Sequence, residues 1–444
     1  MVAVIALALV LDRQEPYQHP RAEVRAPASL TAADIERIAR RVERIRRLRF
    51  ERPVTPLFVG REEAIRLQRE GSAQDYPAGR QQADEEALKL LGLMRPRDSV
   101  SAALAAIERE QVLGFYDPRR KRLVVVREPR ASRPLLEITL AHELVHALED
   151  QRFGLHQGGD PNDDAALAES ALAEGTATTV MAEYAIRYFG IDDALALFGS
   201  AANTETKLPK YVEDTLLFPY EQGLEFVKAF RGDSGSWKAL DNVIRFHRPA
   251  TVEQVIHPDK YAIGELPVRI RAPDLGTVLG EGWQRLGSSS VGELDLRELF
   301  KIVGGSADDE AAAGWGGGRF ELWRRTSAEG CASPCVSGDV GLMSLAWDTS
   351  ADRTAAERSL GAAFRHGLDS RRVSGGAGAR LWSSRGGVIA MSGAGRRTAI
   401  VLAPDSRTAA RVLAAAGARV KQGRTSAQTE PAARKAGRVS AKNS

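Results

Sequence analysis

Cysteine is nearly absent from this sequence. Cys331 and Cys335, in "GCASPCVSG", are the only two in 444 residues. A metal site built on them would need further ligands, and none lies nearby. Their close spacing suits a small disulfide, which would fit an oxidising compartment. Long apolar runs are also missing. The opening "MVAVIALALVL" has ten apolar residues after the methionine. A membrane-spanning helix needs about 20, so this stretch is too short to cross. It has the length of a signal-peptide apolar region. No Lys or Arg precedes it, however, and no A-x-A site follows closely. We expect residues 1–27 to be a leader or partial signal and the protein to be extracytoplasmic. A buried amino-terminal strand is the alternative. The glycine-rich "GWGGG" lacks the Lys-Ser/Thr of a phosphate loop and precedes a strand rather than a helix. No internal repeat is present.

The charge is not what the total suggests. The formal net charge is +4, but the tail from Lys421 to Ser444 holds six Lys/Arg and one Glu, or +5. The rest of the chain is therefore near −1, which argues against a folded nucleic-acid-binding face. The tail has no aromatic residue, and we expect residues 421–444 to be a disordered basic tail. The leader or the tail offers contact with a membrane surface. Hydrophobic content of 43% and charged content of 27% are those of a soluble globular protein. The length suits two ordinary domains.

Apolar spacing predicts helices over 31–49, capped by Thr31, and in "DEEALKLLGLM" and "VSAALAAIEREQ". "RPVTPLFVG" reads as a strand. "VLGFYDPRRKRLVVV" reads as a hairpin turning at "DPRR". A long Ala-rich helix runs from Asp163 or Asp164 to Gly190, and helices follow around 223–230 and 235–246. Near 270 the texture changes. "RFELWRR", "GLMSLAW", "GGVIAMSG" and "TAIVLAP" are strand-like, with helices near 351–367 and 405–416. This predicts an α+β protein, with a first domain at 28–270 and a smaller α+β accessory domain at 271–420.

The chemistry concentrates in "TLAHELVHALEDQRFGL", residues 139–155. On a helix, positions four apart lie about 40° apart. His142 and His146 therefore share a face and can bind one metal ion, and zinc accepts neutral imidazole nitrogens. Glu143 lies one residue round from His142, where it can act as general base toward water without being a ligand. A catalytic zinc needs a third protein ligand. The pattern H-E-x-x-H-x-x-G-x-x-H is excluded, because Glu149 and Arg152 stand where it has Gly and His. A following helix offers Glu174, in "ALAEGTA", and Glu169, in "LAES". Small neighbours around Glu174, including Gly175, would let its helix approach the histidine helix closely.

Further candidates surround this core. The arm "RLVVV" offers an edge strand for an extended peptide. His257 and Tyr261, in "VIHPDKY", offer donors to the oxyanion of a tetrahedral intermediate, as does Tyr220 in "FPYEQG". Packing roles are the alternatives. Asp150 is placed either to orient a zinc ligand or as an exposed charge.

The chain resembles the gluzincin group of zinc metallopeptidases, in which H-E-x-x-H is followed by a downstream Glu. "LAEGTA" is similar to the N-E-G-x-A segment of aminopeptidase-N-like enzymes, and this likeness points to Glu174 as the third ligand. More closely, "GFYDP", "LAHELVHALEDQRF", "ALAEGTAT", "LLFPYEQGLEFV" and "PATVEQVIHPDKY" resemble a largely uncharacterised bacterial group of predicted zinc metallopeptidases. The matching pieces span roughly 45–300. Glu149 departs from that group's usual Gln. The resemblance implies a zincin-like catalytic domain with an active-site helix and edge hairpin. It implies Zn2+ as cofactor and a peptide or protein as substrate. A zinc-bound but inactive binding or assembly protein is the alternative, although Glu143 would then have no use.

Overall fold

A computed structural model describes residues 30–111, 113–127, 132–155, 163–201, 207–232, 234–373, 379–384 and 386–417. The expected leader at 1–27 and basic tail at 421–444 lie outside these residues. Among the described residues the protein is mixed α+β with two separate sheets. The first half runs α1 (Ala32–Arg46), β1 (Pro56–Val59), α2 (Arg61–Asp75), α3 (Ala78–Leu90), α4 (Val100–Gln111), β2 (Gly114–Asp117), β3 (Arg122–Val126), α5 (Arg133–Phe153), α6 (Asp163–Phe189), α7 (Ile191–Ala201), α8 (Lys210–Arg231), α9 (Lys238–Phe246), α10 (Val252–Ile256) and α11 (Pro258–Ala262). The second half runs α12 (Leu275–Leu279), β4 (Trp283–Ser290), α13 (Glu293–Glu298), α14 (Asp309–Ala312), β5 (Trp315–Arg325), β6 (Asp339–Trp347), α15 (Ser350–Gly367), β7 (Arg371–Val373), β8 (Arg380–Ser384), β9 (Gly387–Ala394), β10 (Arg397–Ala403) and α16 (Ser406–Ala415).

Local chemistry sets these bounds. Thr31 and Asp34 exchange side-chain and backbone hydrogen bonds in a capping box that starts α1. Ile35, Ile38, Val42 and Ile45 of that helix are buried, as their spacing predicts. Gly190, with φ +93°, follows the end of α6. Helix α8 starts at Lys210, well before the expected 223, and carries Pro219 in its interior. That proline hides the first half of the helix from a reading based on breakers. Helix α2 was not expected, because it is mostly polar and buries only Ala64 and Leu67 in its apolar cluster.

The first sheet has the order β1–β3–β2, with β1 parallel and β2 antiparallel to β3. Side chains alternate along β3. Leu123 and Val125 enter the main helical core with α1, α5, α6, α8 and α9, whereas Val124 and Val126 pack under α2. The arm "RLVVV" is therefore the central strand, paired on both sides, and not the expected edge. The edges are β1 and β2. The hairpin turns at Asp117, whose carboxylate accepts from the backbone N–H groups of Arg119 and Arg120 at 3.1 and 3.0 Å.

The second sheet has seven strands in the order β4–β5–β6–β10–β9–β8–β7, all neighbours antiparallel. Ile400 and Leu402 of β10 face one core with α15, while Ala399, Val401 and Ala403 face the other with α12 and α16. Packing does not respect a division at 270. Ala87, Leu90, Leu91 and Leu93, at and just beyond the end of α3, bury into the core of the second sheet. The Cys331–Cys335 disulfide closes the β5–β6 connection. The backbone N–H of Cys335 donates to Glu86 of α3 at 2.6 Å, which ties this loop to the first half.

Candidate metal centre

Helix α5 is capped by Ser132, whose hydroxyl accepts from Leu135 N–H at 3.4 Å, with Pro134 in its first turn. The helix lies in the main core. Leu140, Ala141, Leu144, Val145 and Leu148 are buried on its sides. His142 and His146 project from one face toward α6. His142 Nε2 lies 3.0 Å from Glu174 Oε2, His146 Nε2 lies 3.5 Å from Glu174 Oε1, and the two Nε2 atoms are 3.1 Å apart. These three residues form a group able to hold a metal ion.

The donor set fits zinc. Ligands about 2.0–2.1 Å from a tetrahedral ion are separated from one another by about 3.4 Å, close to the separations found here. The charges fit as well. Two imidazole nitrogens at 3.1 Å need a proton or another cation between them. Burial disfavours the charged form of His146, but Glu174, then Glu143 and Glu149, outweigh it and raise its pKa to about 9. Burial likewise opposes the charge on Glu174, and the two histidines reverse this, holding its carboxyl well below the usual range. The pocket thus favours positive charge.

Glu143 stands beside this group, and its Oε2 accepts from the backbone N–H of Tyr116 at 2.9 Å. Tyr116 belongs to edge strand β2, so the edge is joined directly to the H-E-x-x-H helix. Its hydroxyl donates to Asp150 Oδ2 at 2.6 Å. Asp150 also accepts from Lys121 Nζ at 2.7 Å and from Leu155 N–H at 3.0 Å. Asp150 is buried, and it anchors the hairpin rather than orienting a histidine or standing in solvent. Tyr116 was not singled out from sequence. The sequence signal for it is the segment "GFYDP".

Glu169 is elsewhere, paired with Arg248. Gly175 does permit a close approach, but not to the histidine helix. A Cβ there would stand 2.2 Å from the backbone C and O of Gly223 in α8, and one on Gly223 would stand 2.0 Å from Ala171 O. Gly175 is one residue, about 100°, round from Glu174, and so it faces a different neighbour. The consequence is the position of Tyr220, three residues before Gly223. Its ring centroid lies 6.4 Å from that of His142. Burial, then the charges of Glu174 and Glu143, push its hydroxyl pKa well above the ordinary value.

The structure does not bring His257 or Tyr261 to this centre. His257 Nε2 pairs with the buried Glu293 at 3.0 Å. The Tyr261 hydroxyl donates to His247 O at 2.5 Å, and its ring packs on Phe226 and Phe230. Their expected oxyanion role therefore gives way to packing between elements, and Tyr220 is the hydroxyl at the centre.

Beneath the centre runs a buried ion network. Arg46 Nε donates to Glu149 Oε1 at 2.7 Å, its Nη1 lies 2.6 Å from Asp241, and its guanidinium sits 4.4 Å from the Trp237 ring centroid. Burial raises the pKa of Glu149, with Arg46 opposing.

Residues 279–413 match a family described as a domain of unknown function (DUF8575). The match covers the second sheet and does not reach α5 or α6. No curated protein and no solved structure matches the chain. Among the described residues, no helix is long and apolar enough to cross a membrane.

Proposed function

We propose that the first half is a zincin-like catalytic domain and that the protein is a zinc-dependent peptidase of gluzincin type. The observation that carries this reading is the convergence of His142, His146 and Glu174 within 3.5 Å, with Glu143 on the same helix. A zinc ion held by these three residues would supply Lewis acidity, lowering the pKa of water and polarising a carbonyl. Glu143 then serves as general base, taking a proton from water and returning it to the leaving amine. The Tyr116 N–H holds one oxygen of that carboxylate and leaves the other for the proton. Tyr220, neutral and half-buried near Glu174, is the donor for the developing oxyanion. Edge strand β2, paired with β3 alone among the described strands, supports an extended peptide as substrate, although its Tyr116 N–H is already held by Glu143.

The test is zinc content and cleavage of unfolded casein for the wild type and Glu143→Gln, with and without a chelator. The glutamine keeps the side chain's shape but cannot accept the proton. We expect one zinc per chain in both proteins and hydrolysis only in the metal-loaded wild type. Near-normal hydrolysis by Glu143→Gln would remove Glu143 as the base. An absence of zinc would remove the reading itself.

A further inference from the structure

Residues 265–274 join the two halves without helix or strand. The Val268 N–H donates to Gly316 O at 2.7 Å, near the start of β5. A Cβ built on Gly276 would stand 3.4 Å from the Trp323 ring, near the end of β5. The connection therefore lies along β5 as a strap. Between strap and sheet is a trough of ≈ 680 Å³. Arg269 and Arg271 line it from the strap, and Arg285 and Arg319 line it from the sheet.

The sheet side follows from register. Arg285 is opposite Trp323, and Ser288 is opposite Glu321; residues directly opposite share a face. Helices α12 and α16 cover this face at β6, β9 and β10, and the arginines lie beside that cover. Arg319 is oriented by Glu321 Oε1 at 3.2 Å and Ser288 Oγ at 3.1 Å. Asp274, also in the trough, is engaged by Thr277, whose hydroxyl donates to it at 2.6 Å. The Arg269, Arg271 and Arg285 side chains have no hydrogen-bond or ion-pair partner among the described residues. Four guanidinium groups against the carboxylates of Asp274 and Glu321 leave a charge of +2.

We propose that this trough is a binding site for a phosphate monoester. Such a group carries about −1.5 to −2 at pH 7, with three acceptor oxygens, which matches the surplus charge. Guanidinium forks pair with phosphate in a bidentate manner. The remaining volume and the half-buried Trp323 ring accommodate the body of the ester. Bound there, the ligand links strap to sheet across the junction of the two halves. This site is independent of the metal centre.

The test is calorimetric titration of the full chain at low ionic strength with glycerol phosphate. A second arm uses the same headgroup on a lipid, with sedimentation on phosphatidylcholine vesicles with and without phosphatidic acid. We expect saturable binding of one form. The double variant Arg269→Gln/Arg271→Gln should weaken it at least tenfold. Arg285→Gln should weaken it severalfold, and the exposed Arg358→Gln on α15 should leave it unchanged. Binding of glycerol phosphate marks a soluble ligand, and binding of phosphatidic acid vesicles alone marks a lipid headgroup. Binding of neither probe, or equal binding by the double variant and wild type, would overturn the proposal. All substituted side chains are exposed, and matched melting temperatures would show that the fold is kept.

Discussion

Replacing Gly175 with alanine sets two effects of opposite sign against each other. Alanine is the better helix former by about 1 kcal/mol, and Gly175 lies in the interior of the 27-residue α6. On propensity alone the variant is more stable. The new Cβ, however, would stand 2.2 Å from backbone atoms of Gly223. Carbon atoms settle at about 3.5–4.0 Å, so α6 and α8 must separate by about 1 Å. No side chain can rotate away, because the obstacle is main chain. Overpacking of this kind costs about 1–3 kcal/mol, and a backbone obstacle belongs at the upper end. Subtracting the propensity gain leaves a net loss of about 2 kcal/mol. The separation also moves Tyr220 away from Glu174, so the proposed peptidase activity should fall by more than stability requires. Urea unfolding of the wild type and Gly175→Ala measures the first effect, and activity at saturating zinc measures the second. A variant as stable as the wild type or more so would refute the close crossing and the account of Tyr220 built on it.

Glu174→Ala should abolish zinc binding while Glu169→Ala keeps it, as read by metal analysis after dialysis; the reverse would exchange their roles. Arg46→Met should destabilise by about 3–5 kcal/mol, because it leaves the buried carboxylate of Glu149 without its cation; a loss below about 1 kcal/mol in urea unfolding would contradict this. Asp164 governs a pH dependence. Burial first, and then the charge of Asp295, raises its carboxyl to about 7 from an ordinary 3.8. The folded state thus holds the proton more tightly than the unfolded state. This contribution is fully present below about pH 4 and is lost as pH rises to about 7, amounting to at most about 4 kcal/mol. Asp164→Asn should therefore flatten the fall in stability between pH 4 and 7, and a variant profile parallel to the wild type would remove Asp164 as the cause.

Local signals were legible where one stretch of chain decides the outcome. The α4 segment "VSAALAAIEREQ", the hairpin around "DPRR" and the cap at Thr31 each rest on contacts within a few residues. The elements that were missed fail that condition. Helix α2 has too little apolar periodicity to announce itself, and α8 runs through Pro219 because packing against α6 and α9 holds it. At the centre, the face shared by His142 and His146 follows from helical pitch alone.

The sequence by itself determined which groups can bind a metal and which carboxylate stands beside them, since residue type and a four-residue spacing suffice for that. It also determined the α+β alternation, through the periods of its apolar residues. Tertiary structure decided which distant residues join the centre. It put Tyr116 on Glu143 and Asp150 under the hairpin, turned Gly175 toward Gly223 rather than toward the histidines, and sent His257 to Glu293. The reason is physical: pitch and pleat act over a few residues, whereas the direction in which one helix meets another depends on every side chain packed between them.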